Sequence, residues 1–160
     1  MQVAVIMGSK SDYELVKHGE AVLNAFDISF ETKILSAHRT PEALISYVRS
    51  LKDKGIRVVI AVAGKAAALP GIIAAHTTIP VIGVPVETKL LGLDSLFSIC
   101  QMPAGLPVAT MGIGKSGMIN AALFCIHILA GEDPTLEQKL IAYREEMAEK
   151  VLLSEKEIHP

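Results

Sequence analysis

The stretch Arg57-Val58-Val59-Ile60-Ala61-Val62-Ala63, followed at once by Gly64-Lys65, decides the fold. After Arg57 it is apolar at every position, with no alternation between apolar and polar residues. A strand exposed on one face alternates; a strand covered on both faces does not. The run therefore reads as a central strand of a parallel sheet, with helices above and below. Residues 2–7 (QVAVIM) and 80–85 (PVIGVP) have the same character, and residues 29–35 and 108–111 read as two further strands.

Helical segments separate these runs. Residues 13–26 carry Leu15, Val16, Ala21, Val22 and Ala25 at helical spacing. Thr40-Pro41-Glu42 opens the next helix, with Thr at the N-cap, Pro at the first helical position and an acid in the first turn. That helix is expected to run to about residue 54, where Gly55 stops it. Residues 71–76 and 93–101 read as short helices, 116–130 as a long apolar one ended by Gly131, and 134–154 as a charged last helix. Strands alternating with helices predict an α/β three-layer αβα sandwich with an extra C-terminal helix. At 160 residues and 17.1 kDa the chain, 1–160, is expected to form a single domain.

Composition excludes several function classes. With 51% hydrophobic residues, 20% charged residues and a mean hydropathy of +0.43, the chain is not disordered. A net charge of −2 gives no whole-chain attraction to nucleic acid or to an anionic membrane. Aromatics are 4% and Trp is absent, so no stacking platform for bases is expected. Gly, Pro or His breaks each apolar run before about 18 residues, too short for a membrane span. So apolar a chain has surface to hide, which favours a homo-oligomer. Cys100 and Cys125 form no C-x-x-C pair and are expected to be buried thiols in a reducing cytosol. No secretory signal is read, and the expected location is cytoplasmic.

In a doubly wound sheet, ligands sit beyond the carboxyl ends of the strands. Three turns there hold unusual residues. Gly8-Ser9-Lys10-Ser11-Asp12 follows the first strand and opens the first helix. Its hydroxyls and N–H groups at a helix start suit a phosphate, and Asp12 suits sugar hydroxyls. Helix capping alone would also account for this turn. It is neither G-x-G-x-x-G nor a P-loop, which weakens a dinucleotide or nucleoside-triphosphate reading. Ser36-Ala37-His38-Arg39-Thr40-Pro41 follows the second strand. Histidine is the residue type suited to proton transfer near neutral pH, which makes His38 the candidate, and Arg39 offers a bidentate fork for a phosphate or carboxylate. Residues 63–71 (AGKAAALPG) follow the third strand, with small side chains that let a ligand approach the backbone and Lys65 as their one charge. A packed bend with a solvated Lys65 is the alternative. His18, His76, His127 and His159 carry less weight: His18 and His159 are expected to face water, and His127 to fill a core or interface role. No two histidines form a metal pair on one helix face.

At these turns the sequence resembles the PurE family, the carboxyaminoimidazole ribonucleotide enzymes of purine biosynthesis. The matching pieces are MGSKSD at 7–12, SAHRTP at 36–41, AG…LPG at 63–71, PVIGVPV at 80–86, GLDSLFSICQMPAGLPVATMGIG at 92–114 and NAALFCIHILA at 120–130. The resemblance implies a flavodoxin-like sandwich assembled as a homo-octamer, with C-terminal helices helping to join subunits. It implies one of two reactions: transfer of a carboxylate from the exocyclic nitrogen of N5-carboxyaminoimidazole ribonucleotide (N5-CAIR) to ring C4, giving CAIR, or direct addition of CO2 to aminoimidazole ribonucleotide (AIR). Neither uses a metal or an organic cofactor. Carried over by motif, Ser9, Ser11, Asp12 and Arg39 contact the ribose phosphate with Ser36 near it, and His38 is the proton-transfer residue. Gly64, Lys65 and Leu69 of the third turn are expected to contact substrate.

One stretch departs from the family. The mutase class reads A-G-G-A-A-H-L-P-G in the third turn, whereas this chain has Lys65 in place of a Gly and Ala68 in place of the His. The carboxylase class carries Arg-Ser-Asn and a small residue there. Lys65 and Ala68 thus lean toward the carboxylase, while residues 70–86 and 101–114 lean toward the mutase, which the longer match favours. Two readings from other classes remain: a non-catalytic nucleotide-binding module, and an electron carrier, which the lack of flavin-flanking aromatics disfavours.

Overall fold

A computed structural model describes residues 2–158, with side chains up to residue 155. Its sheet comprises β1 (Val3–Met7), β2 (Phe30–Ile34), β3 (Val58–Ala63), β4 (Val81–Pro85) and the two-residue β5 (Ala109–Thr110). All neighbours are parallel, in the order β2-β1-β3-β4-β5. That is the flavodoxin-like order, and its direction reverses between β1 and β3. The helices are α1 (Tyr13–Ala25), α2 (Pro41–Ser50), α3 (Leu69–His76), α4 (Leu93–Cys100), α5 (Gly114–Ala130) and α6 (Pro134–Ile158), with a short 3-10 turn at Lys10–Asp12 before α1.

The unalternating strands are buried on both faces, as their sequence requires. Val3, Val5, Met7, Val58, Ile60, Val62, Ile82 and Val84 point to one core, shared with α1, α5 and the start of α6. Ala4, Ile6, Val59, Ala61, Ala63 and Val81 point to the other, shared with α2, α3 and α4. The period of two along each strand sorts its residues between the cores. β2 is an edge strand and carries Glu31 and Lys33, charges that discourage pairing with another sheet edge.

Local signals act largely as expected. Gly55 adopts φ 73°, and the Ile56 N–H donates to the Leu51 carbonyl at 3.0 Å, closing the turn after α2. Thr40 stands at the start of α2 but does not cap it. Its hydroxyl instead accepts from the Ser36 N–H at 2.9 Å and tightens the preceding turn. α3 starts at Leu69, two residues before the expected 71, because Pro70 fits a helix's first turn. α6 extends to Ile158, past the expected 154. Of the two cysteines, Cys125 is fully buried in α5, where burial pushes its thiol pKa up. Cys100 corrects the expectation: it is exposed, because Ile99, not Cys100, faces the core at the end of α4. His127 is also exposed, on the outer side of α5, rather than in the core, and His18 is half-buried. His159 lies outside the described residues. No helix among the described residues is long and apolar enough to cross a membrane.

Gly83 sets how closely α4 lies on the sheet. A β-carbon there would strike the Ile99 side chain and come within 3.1 Å of Val108. Gly83→Ala is expected to lower unfolding free energy by about 1–3 kcal/mol through overpacking. Urea unfolding measures this, and an unchanged midpoint would mean that α4 repacks freely.

Candidate functional site

Register brings the three candidate turns to one level. Met7, the last residue of β1, pairs with Ile34 on one side and Val62 on the other. The turns after β1, β2 and β3 therefore leave the same rim of the sheet, flanking the point where strand order reverses.

The first two turns are joined directly. The Arg39 guanidinium reaches from the second turn and donates through Nη2 to the Gly8 carbonyl at 2.9 Å. The Ser36 hydroxyl accepts from the Arg39 backbone N–H at 3.2 Å and from Nε at 3.4 Å. Ser36 thus fixes both the backbone and the side chain of Arg39. In the first turn, Ser9 Oγ accepts from the Ser11 N–H at 3.3 Å, so the capping reading holds for Ser9. The Ser11 hydroxyl lies 2.9 Å from Ser9 Oγ and 3.1 Å from Asp12 Oδ1, and its single proton serves one of them at a time. Burial is the largest influence on Asp12 and raises its pKa, against hydrogen bonds from Ser11 and Ser9 and the positive Arg39. His38 is exposed on the same turn as Arg39, and its ring bonds to no described residue.

The third turn is held differently. Gly64 packs under the fourth strand's exit, where a β-carbon would stand 3.3 Å from Val86 Cβ. Lys65 follows with φ 62°, a left-handed conformation that L side chains resist by roughly 1–2 kcal/mol. Its backbone is held by Ser95 of α4. The Lys65 N–H donates to Ser95 Oγ at 2.8 Å; the Ser98 hydroxyl lies 3.4 Å from the Lys65 carbonyl but donates its one proton to the Asp94 carbonyl at 2.8 Å. Ser95 is fully buried, the one buried polar side chain among the described residues. Leu69 is 2% exposed within the α2–α4 core, so it can meet a ligand only through its main chain. Ala68 is half-buried at the start of α3.

Sequence reading named Ser9, Ser11, Asp12, Ser36, His38 and Arg39, and the structure gathers them on two adjoining turns. Gly64 and Lys65 stand on the neighbouring strand end, without a bond to the other two turns. Ser95 and Ser98 were missed. Their three-residue spacing on a helix face was a visible signal, but only the fold shows that they face Lys65. Among the described residues, no three His, Cys, Asp or Glu side chains cluster as metal ligands.

Comparison with known proteins bears on this arrangement. The sequence model of the AIR carboxylase family matches residues 2–150. The chain belongs to the AIR carboxylase, or PurE, family. A Bacillus subtilis relative named N5-carboxyaminoimidazole ribonucleotide mutase is 50% identical over 153 residues, 95% of this chain and 94% of that protein. A Pyrococcus abyssi relative of the same name is 53% identical over 147 residues, 91% of this chain and 83% of that one. The crystal structure of Treponema denticola PurE superposes with a TM-score of 0.89 at 26% identity, covering 99% of each chain. The full-length likeness confirms the flavodoxin-like three-layer fold of this AIR carboxylase family member.

Three outcomes test the site's construction. Lys65→Gly should raise unfolding free energy by about 1 kcal/mol, because Gly occupies this φ without strain; a loss of stability would show that the lysine stem packs usefully. Ser95→Ala should cost about 1–3 kcal/mol by orphaning the Lys65 N–H, and urea unfolding checks both. A raised Asp12 pKa means that the folded chain holds the proton more tightly than the unfolded one. Stability therefore falls as pH rises from the ordinary value of 3.8 through the raised one. Asp12→Asn should flatten that slope in unfolding experiments, and an unchanged slope would assign it to other groups.

Proposed function

We propose that this chain is an N5-CAIR mutase of purine biosynthesis, moving the carboxylate from the exocyclic nitrogen to C4 to form CAIR. Relatives bearing that name match it at about half of all positions over nearly its whole length. The geometric observation that supports the reading is the Arg39–Gly8 bond, which joins the turn bearing His38 and Arg39 to the turn bearing Ser9, Ser11 and Asp12.

Each residue then has a task. Ser9, Ser11 and Arg39 hold the phosphate, the guanidinium as a charge-assisted fork. Asp12 accepts from ribose hydroxyls, and Ser36 keeps Arg39 aimed. Gly64 lets the imidazole lie close to the backbone, and Leu69 closes the site through its main chain. Cleavage of the N–carboxylate bond releases CO2 beside C4 and leaves the nitrogen needing a proton. C4 then bonds to CO2 and becomes tetrahedral. Loss of its proton restores the aromatic ring. The proton lost at C4 balances the one gained at nitrogen, and His38 moves it. Trapping CO2 against the ring replaces a bimolecular encounter, an advantage worth up to ~7–11 kcal/mol in well-aligned systems. None of these steps calls for a metal or organic cofactor.

Lys65 and Ala68 favour a second reaction, direct carboxylation of AIR by CO2, because they depart from the mutase pattern at the third turn. Purified protein given N5-CAIR should form CAIR rapidly; formation only from AIR plus bicarbonate would reverse the assignment, and formation from neither would leave a binding module. A single-domain subunit, a homo-octamer and a cytoplasmic location belong to the same proposal. Ile141, Met147, Val151, Leu152 and Leu153 along α6, and Leu90, Leu91, Leu93 and Phe97 around the start of α4, are apolar and exposed in the single chain, which supports assembly. The free thiols suit a reducing compartment.

His38→Asn should abolish turnover while ribonucleotide binding persists, and near-normal turnover would remove His38 from the proton path. Arg39→Ala should raise KM at least tenfold by removing a charged hydrogen bond to phosphate; an unchanged KM would contradict its role. Sedimentation velocity should give a mass of eight chains, and a monomer at micromolar concentration would overturn the assembly.

A further inference from the structure

We infer that Lys65 is the group that grips the carboxylate which the enzyme moves, a role resting on the mutase reading. Lys65 is the only Lys, Arg, Asp or Glu between Arg57 and Glu87, a segment spanning both central strands β3 and β4. That single charge stands at the carboxyl rim, immediately after β3, and is exposed. It joins no ion pair among the described residues.

Its backbone makes the side chain's presence informative. Ser95 holds the main-chain N–H of residue 65, a contact that glycine would satisfy equally. At φ 62° glycine is the least strained residue. The backbone contact and the conformation at residue 65 therefore call for no lysine. Strain of this kind persists where a side chain serves a site.

Charge partition says which anion it meets. The substrate is anionic at both ends, with phosphate on the ribose and carboxylate on the base. Ser9, Ser11 and Arg39 occupy the ends of β1 and β2. Lys65 occupies the end of β3, on the other side of β1. Two strand spacings, roughly 10 Å, separate the outer two of these three strand ends. That is the scale on which a ribonucleotide's phosphate stands from its base. Arg39 and Lys10 thus stand at the phosphate end. Lys65 after β3 and Lys89 after β4 stand on the other side of β1, and of these two only Lys65 follows a strand next to β1.

AIR and CAIR differ by the C4 carboxylate alone, so calorimetric titration of each isolates that group. Lys65→Gln should weaken CAIR binding on the order of tenfold, leave AIR binding unchanged and raise KM for N5-CAIR more than it lowers kcat. Lys65→Arg should retain CAIR binding within a few-fold. Both variants place a β-carbon at the same φ, so backbone strain is matched and circular dichroism checks the fold. Equal losses for AIR and CAIR, or no loss for either, would overturn the inference while leaving the mutase reading intact. A wild-type protein that binds neither ribonucleotide would overturn both.

Discussion

The parallel ladder between β1 and its two neighbours is the constraint on which the site depends. Met7 lies opposite Ile34 and Val62 at once, so three chain segments far apart in sequence end at the same height. Hydrogen-bond register alone produces this, because each residue is fixed against its partner along the ladder. A one-residue slip of β3 would drop its turn from the rim and exchange its core faces. Two-sided burial forbids the slip: Val58, Ile60 and Val62 fill one core, and Val59, Ala61 and Ala63 fill the other. Packing on both faces thus sets where the turns stand, and the turns set what chemistry can meet.

Polar groups are used sparingly around this frame, and each has a positional task. The fully buried Ser95 hydroxyl accepts the Lys65 N–H and holds the third turn against α4. Gly83 lets α4 approach closely enough for that bond, since a β-carbon would meet Ile99. Arg39, by contrast, ties together two turns that would otherwise share only a rim. A buried neutral hydroxyl fixes a backbone, whereas an exposed guanidinium fixes a turn and still keeps N–H donors for an anion. The difference follows from desolvation: a neutral hydroxyl can be taken from water for one hydrogen bond, and a charge cannot.

The sequence by itself determined the architecture. Unalternating runs at 57–63, 2–7 and 80–85 demanded a sheet covered on both faces, and Pro41 opened α2 where expected, although α2 ends at Ser50, before the expected 54, with Gly55 closing the turn that follows. It also marked the candidate residues, because turns after strands are where functional groups accumulate and SAHRTP and MGSKSD stand at such turns. What only the tertiary structure decided were contacts between segments distant along the chain. The Arg39–Gly8 bond spans 31 residues and the Ser95–Lys65 bond 30, so no local pattern encodes either. Cys100 and Ile99 are adjacent, and only the rotation of α4 against the sheet exposes one and buries the other. Likewise, no propensity announces that Lys65 must adopt a left-handed conformation. Local sequence sets which elements form, through propensity and periodicity. Packing of remote elements sets their rotation and separation, and those determine which side chains meet.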